Sequence, residues 1–293
     1  TFPYTCRLDE KRERLYVSLW AQAAVAVIDL KSSQVIARWT VQEHPCEMAL
    51  TRSGKILFVA NASRNTVSVL DTRSGKTLET LWAALYPKVP PGSTPNSLAL
   101  SPDERTLLVA NADNNTVAVF DVSKPGKSRS LGFIPVGWYP TSVRVTPDGK
   151  NLLVANGKGL SSKPNPRGPQ MDGGSSKDPK VEYIGRLFSG SLSVIEIPSR
   201  KRFERQLAGY TAEAKRCSPL NPDASVTARP DSGNPIPATP GGGSPIKYCI
   251  YIVKENRTYD QVFGDLPQGN GDPSLCIFPE RITPNQHRLA RDF

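Results

Sequence analysis

Histidine is almost missing from this chain: among 293 residues only His44 and His287 occur, and there is no C-x-x-C pair. A zinc site built wholly from His and Cys within these residues is therefore excluded as an expectation. No apolar run approaches the ~18 residues that a membrane-spanning helix needs. No stripe of basic residues interleaved with aromatics runs along any segment, so no nucleic-acid partner is expected despite the formal charge of +10. Basic residues scatter through turns, with small groups at Lys11–Arg14 and Arg200–Arg202. They read as solvated turns or as a field that attracts anionic substrates. Cysteines number five, an odd count. Cys249 sits in an apolar run and reads as core; Cys217 and Cys276 flank a domain junction, where pairing is open. The chain starts Thr1-Phe-Pro-Tyr, with neither initiator Met nor signal peptide, and both ends read as truncated.

What is abundant is proline, with 27 residues, which argues for turns and against a helical bundle. Hydrophobic content is low-normal at 38%. The first two-thirds carry an internal repeat. Leu57-Phe-Val-Ala-Asn61, Leu107-Leu-Val-Ala-Asn111 and Leu152-Leu-Val-Ala-Asn156 are one element, and Leu15-Tyr-Val-Ser18 is a weaker copy. A proline precedes each leucine by twelve positions, at Pro3, Pro45, Pro95 and Pro140, and the copies are 42, 50 and 45 residues apart. Partner strands follow: Ala23–Asp29, Asn65–Asp71, Asn115–Asp121 and Gly190–Glu196. Their large–small alternation suits strands packed between neighbouring sheets. The Asn-Thr and Asp-Asn-Asn links between them tolerate tight, left-handed turns. A repeat of roughly 40–45 residues with about four short strands has the size of a β-propeller blade, which cannot bury both faces alone.

This pattern resembles the YVTN family of propellers over residues 1 to about 210. The expected fold is mainly β, a partial propeller of four-stranded blades, in an open arc or a poorly closed ring because only four copies are visible. Leu57, Val59, Val67, Val69, Leu107, Val109, Val117, Val119, Leu152 and Val154 are expected to be buried. The last copy is interrupted near 157–189 by a Gly-, Pro-, Ser- and Lys-rich loop, either functional or a tolerated insertion. Residues 211–245 carry seven prolines from Pro219 to Pro245 and Gly241-Gly-Gly-Ser244, and read as a linker with little regular structure.

After the linker, Ile246-Lys-Tyr-Cys-Ile-Tyr-Ile-Val253 reads as a buried strand that delivers Glu255 and Asn256 to the start of a helix, the way α/β sheets build ligand sites. From the residues alone, Glu255 and Asn256 are either hard oxygen donors for a divalent metal or a helix cap and a charge on the helix dipole.

The run Glu255-Asn-Arg-Thr-Tyr-Asp260, with Gly269-Asn-Gly-Asp-Pro-Ser274 and Thr283-Pro-Asn-Gln-His287 after it, resembles the start of the phosphoesterase family. That family holds bacterial phospholipases C and an acid phosphatase within the alkaline phosphatase superfamily. The resemblance implies that residues 246–293 open an α/β phosphoesterase domain. It implies a divalent metal held in part by Glu255 and Asn256, with Arg257, Asp260 and His287 in support. It also implies a phosphate-ester or phospholipid substrate and a periplasmic or extracellular location. Gln286 departs from the paired histidines common in the family, and Phe278-Pro279 from its Phe-Gly. The Ser or Thr nucleophile and further ligands would follow Phe293, so this fragment alone is expected to be inactive. The rival expectation is a non-enzymatic surface or envelope protein whose propeller binds a ligand or a protein partner.

Overall fold

The computed structural model describes residues 2–87, 89–160, 185, 187–198, 200–218, 235–236, 243–253 and 255–293. The chain divides into two compact units, one of residues 1–161 and 188–220, the other of 162–187 and 221–293.

The first unit is a series of antiparallel sheets, each strand paired with its sequence neighbour. Sheet one is β1 (Pro3–Asp9), β2 (Arg14–Leu19), β3 (Ala24–Asp29) and β4 (Gln34–Thr40); sheet two is β5 (Pro45–Leu50), β6 (Ile56–Asn61), β7 (Thr66–Asp71) and β8 (Thr77–Trp82). Sheet three is β9 (Pro95–Leu100), β10 (Thr106–Asn111), β11 (Thr116–Asp121) and β12 (Arg129–Pro135). The fourth has three strands, β13 (Trp138–Val145), β14 (Asn151–Gly159) and β15 (Ser191–Glu196), not the expected four. Innermost strands pack in succession, β1 on β5, β5 on β9 and β9 on β13. No comparable packing joins β13 to β1 among the described residues, so the sheets form an open arc, as expected.

Three apolar layers hold the arc together. Tyr16, Val25, Met48 and Leu57 fill the first, Phe58, Val69, Leu107 and Phe120 the second, and Leu108, Val119, Leu152 and Val154 the third. All ten valines and leucines expected in the core have no exposed surface. Each such side chain contributes about 1.5–3 kcal/mol by leaving water. The outer faces of the end sheets stay open, with Leu8 and Ile36 on one and Leu192 and Val194 on the other exposed by half or more.

The repeated Asn of the second strands in sheets two to four, Asn61, Asn111 and Asn156, is buried and donates its side-chain amide. Asn61 Nδ2 reaches Thr66 and Ser68 hydroxyls at 3.1 and 3.0 Å, and Asn156 Nδ2 reaches Ser193 Oγ at 2.9 Å. In sheets one to three, the turn after the second strand ends on a left-handed residue, Ala23, Asn65 or Asn115, at φ of 47, 57 and 56°. In each, that residue's carbonyl accepts from the amide just past the fourth strand, Val41, Ala83 or Val136. Asparagine suits this backbone and alanine does not. Ala23→Asn is expected to stabilise the chain by about 1 kcal/mol, read as a rise in thermal midpoint; a fall would show that the first turn is held by other means.

Sequence reading placed blades up to residue 210 and a linker from 211. The structure instead forms helix α1 over Arg200–Cys217, which packs on β12. Its residues are mostly good helix formers, and Phe203, Leu207, Tyr210 and Ala214 recur at helical spacing on the face that is buried or half-buried. Gly132 makes room for it: at φ 141°, a Cβ there would sit 2.4 Å from Thr211 Oγ1. Thr211 Oγ1 accepts from Phe133 N at 2.9 Å, tying helix to strand. The bulk of the expected insertion and linker, residues 161–184, 219–234 and 237–242, lies outside the described residues.

In the second unit, Ile246–Val253 is not the buried strand expected. It has no regular structure, and Tyr248, Ile250 and Tyr251 are more than 85% exposed. Cys249 is exposed too, not core. Among the described residues no strand pairs with this segment, and a lone strand has neither ladder partners nor a second layer to bury it. Beyond it come α2 (Tyr259–Phe263), a 3₁₀ turn at Pro273–Leu275 and α3 (Pro284–Asp292).

Candidate functional site

Glu255 and Asn256 sit on the approach to α2, both exposed. Neither caps the helix. Thr258 does: its hydroxyl accepts from Gln261 N while the Gln261 side chain accepts from Thr258 N at 3.2 Å, a complete capping box. Asn256 is left-handed at φ 64°, which turns the chain between the exposed segment and the cap. The capping alternative for Asn256 is thus overturned by a residue two positions on.

Glu255 and Arg257 help line a cavity of about 500 Å³ with Tyr259, Phe263, Phe278 and Gln286. Arg257 lies over the Phe278 ring at 4.9 Å, and its guanidinium donates to Asn256 O at 2.6 Å. A cation on an aromatic face is held there by the ring quadrupole. The cavity wall therefore offers one carboxylate, one guanidinium and one amide over an aromatic floor. Asp260 is committed to its own loop, accepting from Asp272 N at 2.8 Å.

His287 does not line the cavity. Its side chain is 1% exposed, packed on the Phe263 ring, with Nε2 2.9 Å from Asp265 Oδ1 and Nδ1 2.9 Å from both Thr283 O and Thr283 Oγ1. Asp265 also accepts from Glu280 N at 2.9 Å and from the Cys276 thiol at 3.5 Å. This knot joins α3 to the loop after α2. Sequence reading missed Asp265 because it is 22 residues from His287; only the i,i+4 spacing of Thr283 and His287 at a helix start was visible. The Cys276 thiol pKa is raised, by burial first and then by Asp265, which keeps it protonated. Cys217 is likewise a free thiol.

Donation from Glu280 N and from His287 lowers the Asp265 carboxyl to about 2. Burial works against a charged His287, but its bonds to Asp265 and Thr283 outweigh it and raise the imidazole pKa. The signs run oppositely. The Asp265 contribution is present above the ordinary carboxylate range and fades as pH falls toward 2. That of His287 is complete below ~6.5 and fades as pH rises through its raised value. With two histidines in the chain, proton NMR resolves each titration. His287 is expected to titrate above ~6.5, and lower in Asp265→Asn, where only Thr283 and Glu280 remain to oppose burial; an unmoved His287 in that variant would dissolve the pair.

As donors for a divalent cation, Glu255 and Asn256 have suitable hard oxygens. Among the described residues no three His, Cys, Asp or Glu side chains gather to hold an ion. Two adjacent donors are part of a coordination sphere, not a whole one, so no catalytic step is drawn through a metal here. No described helix is long and apolar enough to cross a membrane.

Antiparallel sheets repeated in succession, each packed on its sequence neighbours, define a propeller-type repeat protein. Residues 46–211, more than half of the chain, match the choice-of-anchor I domain, and the chain belongs to that family. No curated protein matches it. Among solved structures it is similar to hydrazine synthase from Kuenenia stuttgartiensis, at 20% identity and TM-score 0.47, over 67% of this chain and 63% of that one. It is also similar to a candidate 6-phosphogluconolactonase from Bacteroides uniformis, at 18% identity and TM-score 0.48, over 53% of this chain and 47% of that one. The chain thus spans less than two-thirds of either neighbour's length.

Proposed function

We propose that this chain is part of a metal-dependent phosphoesterase that acts on a phosphate-ester small molecule or a phospholipid, outside the cytoplasm, with the propeller as scaffold. Glu255 and Asn256 are two of its metal ligands, and Arg257 and Asp260 support them. When bound, the metal supplies charge neutralisation at the phosphoryl oxygens. Within the described residues, Arg257 offers a guanidinium fixed on Phe278 for the same anionic group, and Asp260 holds the loop shape through Asp272. His287 keeps α3 in place through Asp265. The observation that carries this reading is the state of Glu255 and Asn256: exposed, outside the helix cap, one on a cavity wall and the other on a left-handed backbone, within a motif resembling the phosphoesterase start.

The test is turnover of an aryl phosphate and an aryl phosphodiester with added divalent metal. Residues 1–293 alone are expected to be inactive. A longer product of the same gene, with a Ser or Thr nucleophile and more Asp and His ligands after Phe293, is expected to be active. Inactivity of both favours the second reading, a surface or envelope binding protein. Membership of a choice-of-anchor family supports that reading and a location at or beyond the cell envelope.

A further inference from the structure

The innermost strands repeat one position from sheet to sheet. Arg7 pairs with Tyr16, Ala49 with Phe58, Ala99 with Leu108 and Arg144 with Leu153, so these four are equivalent. Two blades place a methyl group there and the end blades a guanidinium. One step away, Glu47 stands where the next two blades have Ser97 and Ser142. Repeat positions that depart from their copies serve something other than the scaffold.

These departures meet. Arg7 pairs with Glu47, and its Nε donates to Met48 O at 2.6 Å. Arg144 lies 3.5 Å from the other Glu47 oxygen and donates to Ser97 Oγ at 3.3 Å. One carboxylate, 15% exposed, therefore orients two guanidiniums from the first and last inner strands and neutralises only one. Both arginines line a cavity of about 550 Å³, and Glu47 does not. Ala49 and Ala99 leave it open between them. Lys11, Arg52, Asp9 and Glu10 also line it; Asp9 is taken by Arg12 at 2.7 Å, and Arg52 by Glu104 at 3.6 Å. The balance of charge on the walls is positive, and a fixed guanidinium pair suits the planar or tetrahedral oxygens of an anion.

We propose that this axial cavity is a binding site for a small oxyanion, the carboxylate or phosphate of a metabolite-sized ligand, with Arg7 and Arg144 as its anion contacts and Glu47 as the shared carboxylate that competes with the anion for both. It lies wholly on the propeller sheets and does not depend on the role of Glu255.

The experiment is calorimetric titration of the 1–293 chain, at low ionic strength to limit screening, with inorganic phosphate, succinate and glucose. At least one oxyanion binds with Kd at or below ~1 mM, and glucose does not. Whichever of phosphate and succinate binds more tightly assigns the anion class. Arg144→Gln weakens binding roughly tenfold or more. Glu47→Gln, which keeps both guanidiniums and removes the shared carboxylate, tightens it. Circular dichroism reports whether each variant is folded; if Arg144→Gln is not, Glu47→Gln carries the test. No binding of either oxyanion, an unchanged affinity in folded Arg144→Gln, or a weaker one in folded Glu47→Gln overturns the assignment.

Discussion

Glu255→Gln is expected to lower phosphoesterase turnover roughly a hundredfold or more in the catalytically complete protein, while leaving the fold intact. A hundredfold is about 2.7 kcal/mol of barrier, within reach of removing an anionic ligand from a hard divalent ion. The structure predicts the intact fold: Glu255 is exposed, and the cap of α2 belongs to Thr258 and Gln261. Asn256→Ala is expected to act in the same direction through a lost ligand and not a lost charge. Excess metal should partly restore Glu255→Gln if weaker retention is the main defect. Wild-type turnover in both variants, with unchanged metal content, would remove the pair from the site. Because Thr258 is the cap, such a result would leave the left-handed Asn256 with no role beyond turning the chain.

The largest stability effect is expected from Asn65→Ala. Asn65 is fully buried and left-handed. Its Oδ1 accepts from Gly92 N at 3.0 Å and Ser93 N at 2.8 Å, and its Nδ2 donates to Pro90 O at 2.9 Å. One side chain thus fastens the second sheet to the loop that enters the third. Asn115 repeats the device one blade on, accepting from Tyr139 N at 2.9 Å. Alanine would leave two amides and a carbonyl unpartnered in or near the interior and add the cost of a Cβ at φ 57°. The expected loss is about 3–5 kcal/mol, a large share of the ~5–15 kcal/mol that holds a typical domain. Asn65→Asp keeps the acceptor and should lose less. Urea unfolding measures both; a loss below ~1 kcal/mol for the alanine variant would mean the loop finds other partners.

The propeller sheets were legible because their signal is written several times. Proline and leucine agree in every copy and asparagine in three of the four, so the burial of Val59, Val109 and Val154 follows from register alone. Helix α1 is written once. Its Phe203, Leu207 and Ala214 stripe was there to read, but the blade repeat before it and the prolines after it were the louder signals. Ile246–Val253 shows the opposite error. Apolar composition and β-branched residues specify a strand only where a neighbouring strand supplies ladder hydrogen bonds, and the described residues supply no such strand. Near the candidate site, the sequence reading offered Asn256 as the cap and passed over Thr258. The capping box settles it by pairing Thr258 with Gln261, three positions on. His287 was legible as a notable residue but not as a clamp, since its partner Asp265 is brought to it by two turns and a loop.

In the arc the apolar contacts of each sheet are with its neighbours alone, through three separate layers; the pair of Arg144 on the fourth sheet with Glu47 on the second is a polar tie that skips one sheet. Cooperativity in such a molecule is local. The second and third sheets are flanked on both sides, whereas the first and fourth have one layer each and an open face. Free energies of opening are then graded along the chain, lowest at the ends and highest at Val67–Phe120. Heating is therefore expected to fray the arc inward from its end sheets, and Arg7 and Arg144, which reach from those two sheets to the same carboxylate, are the residues that couple one fraying front to the other.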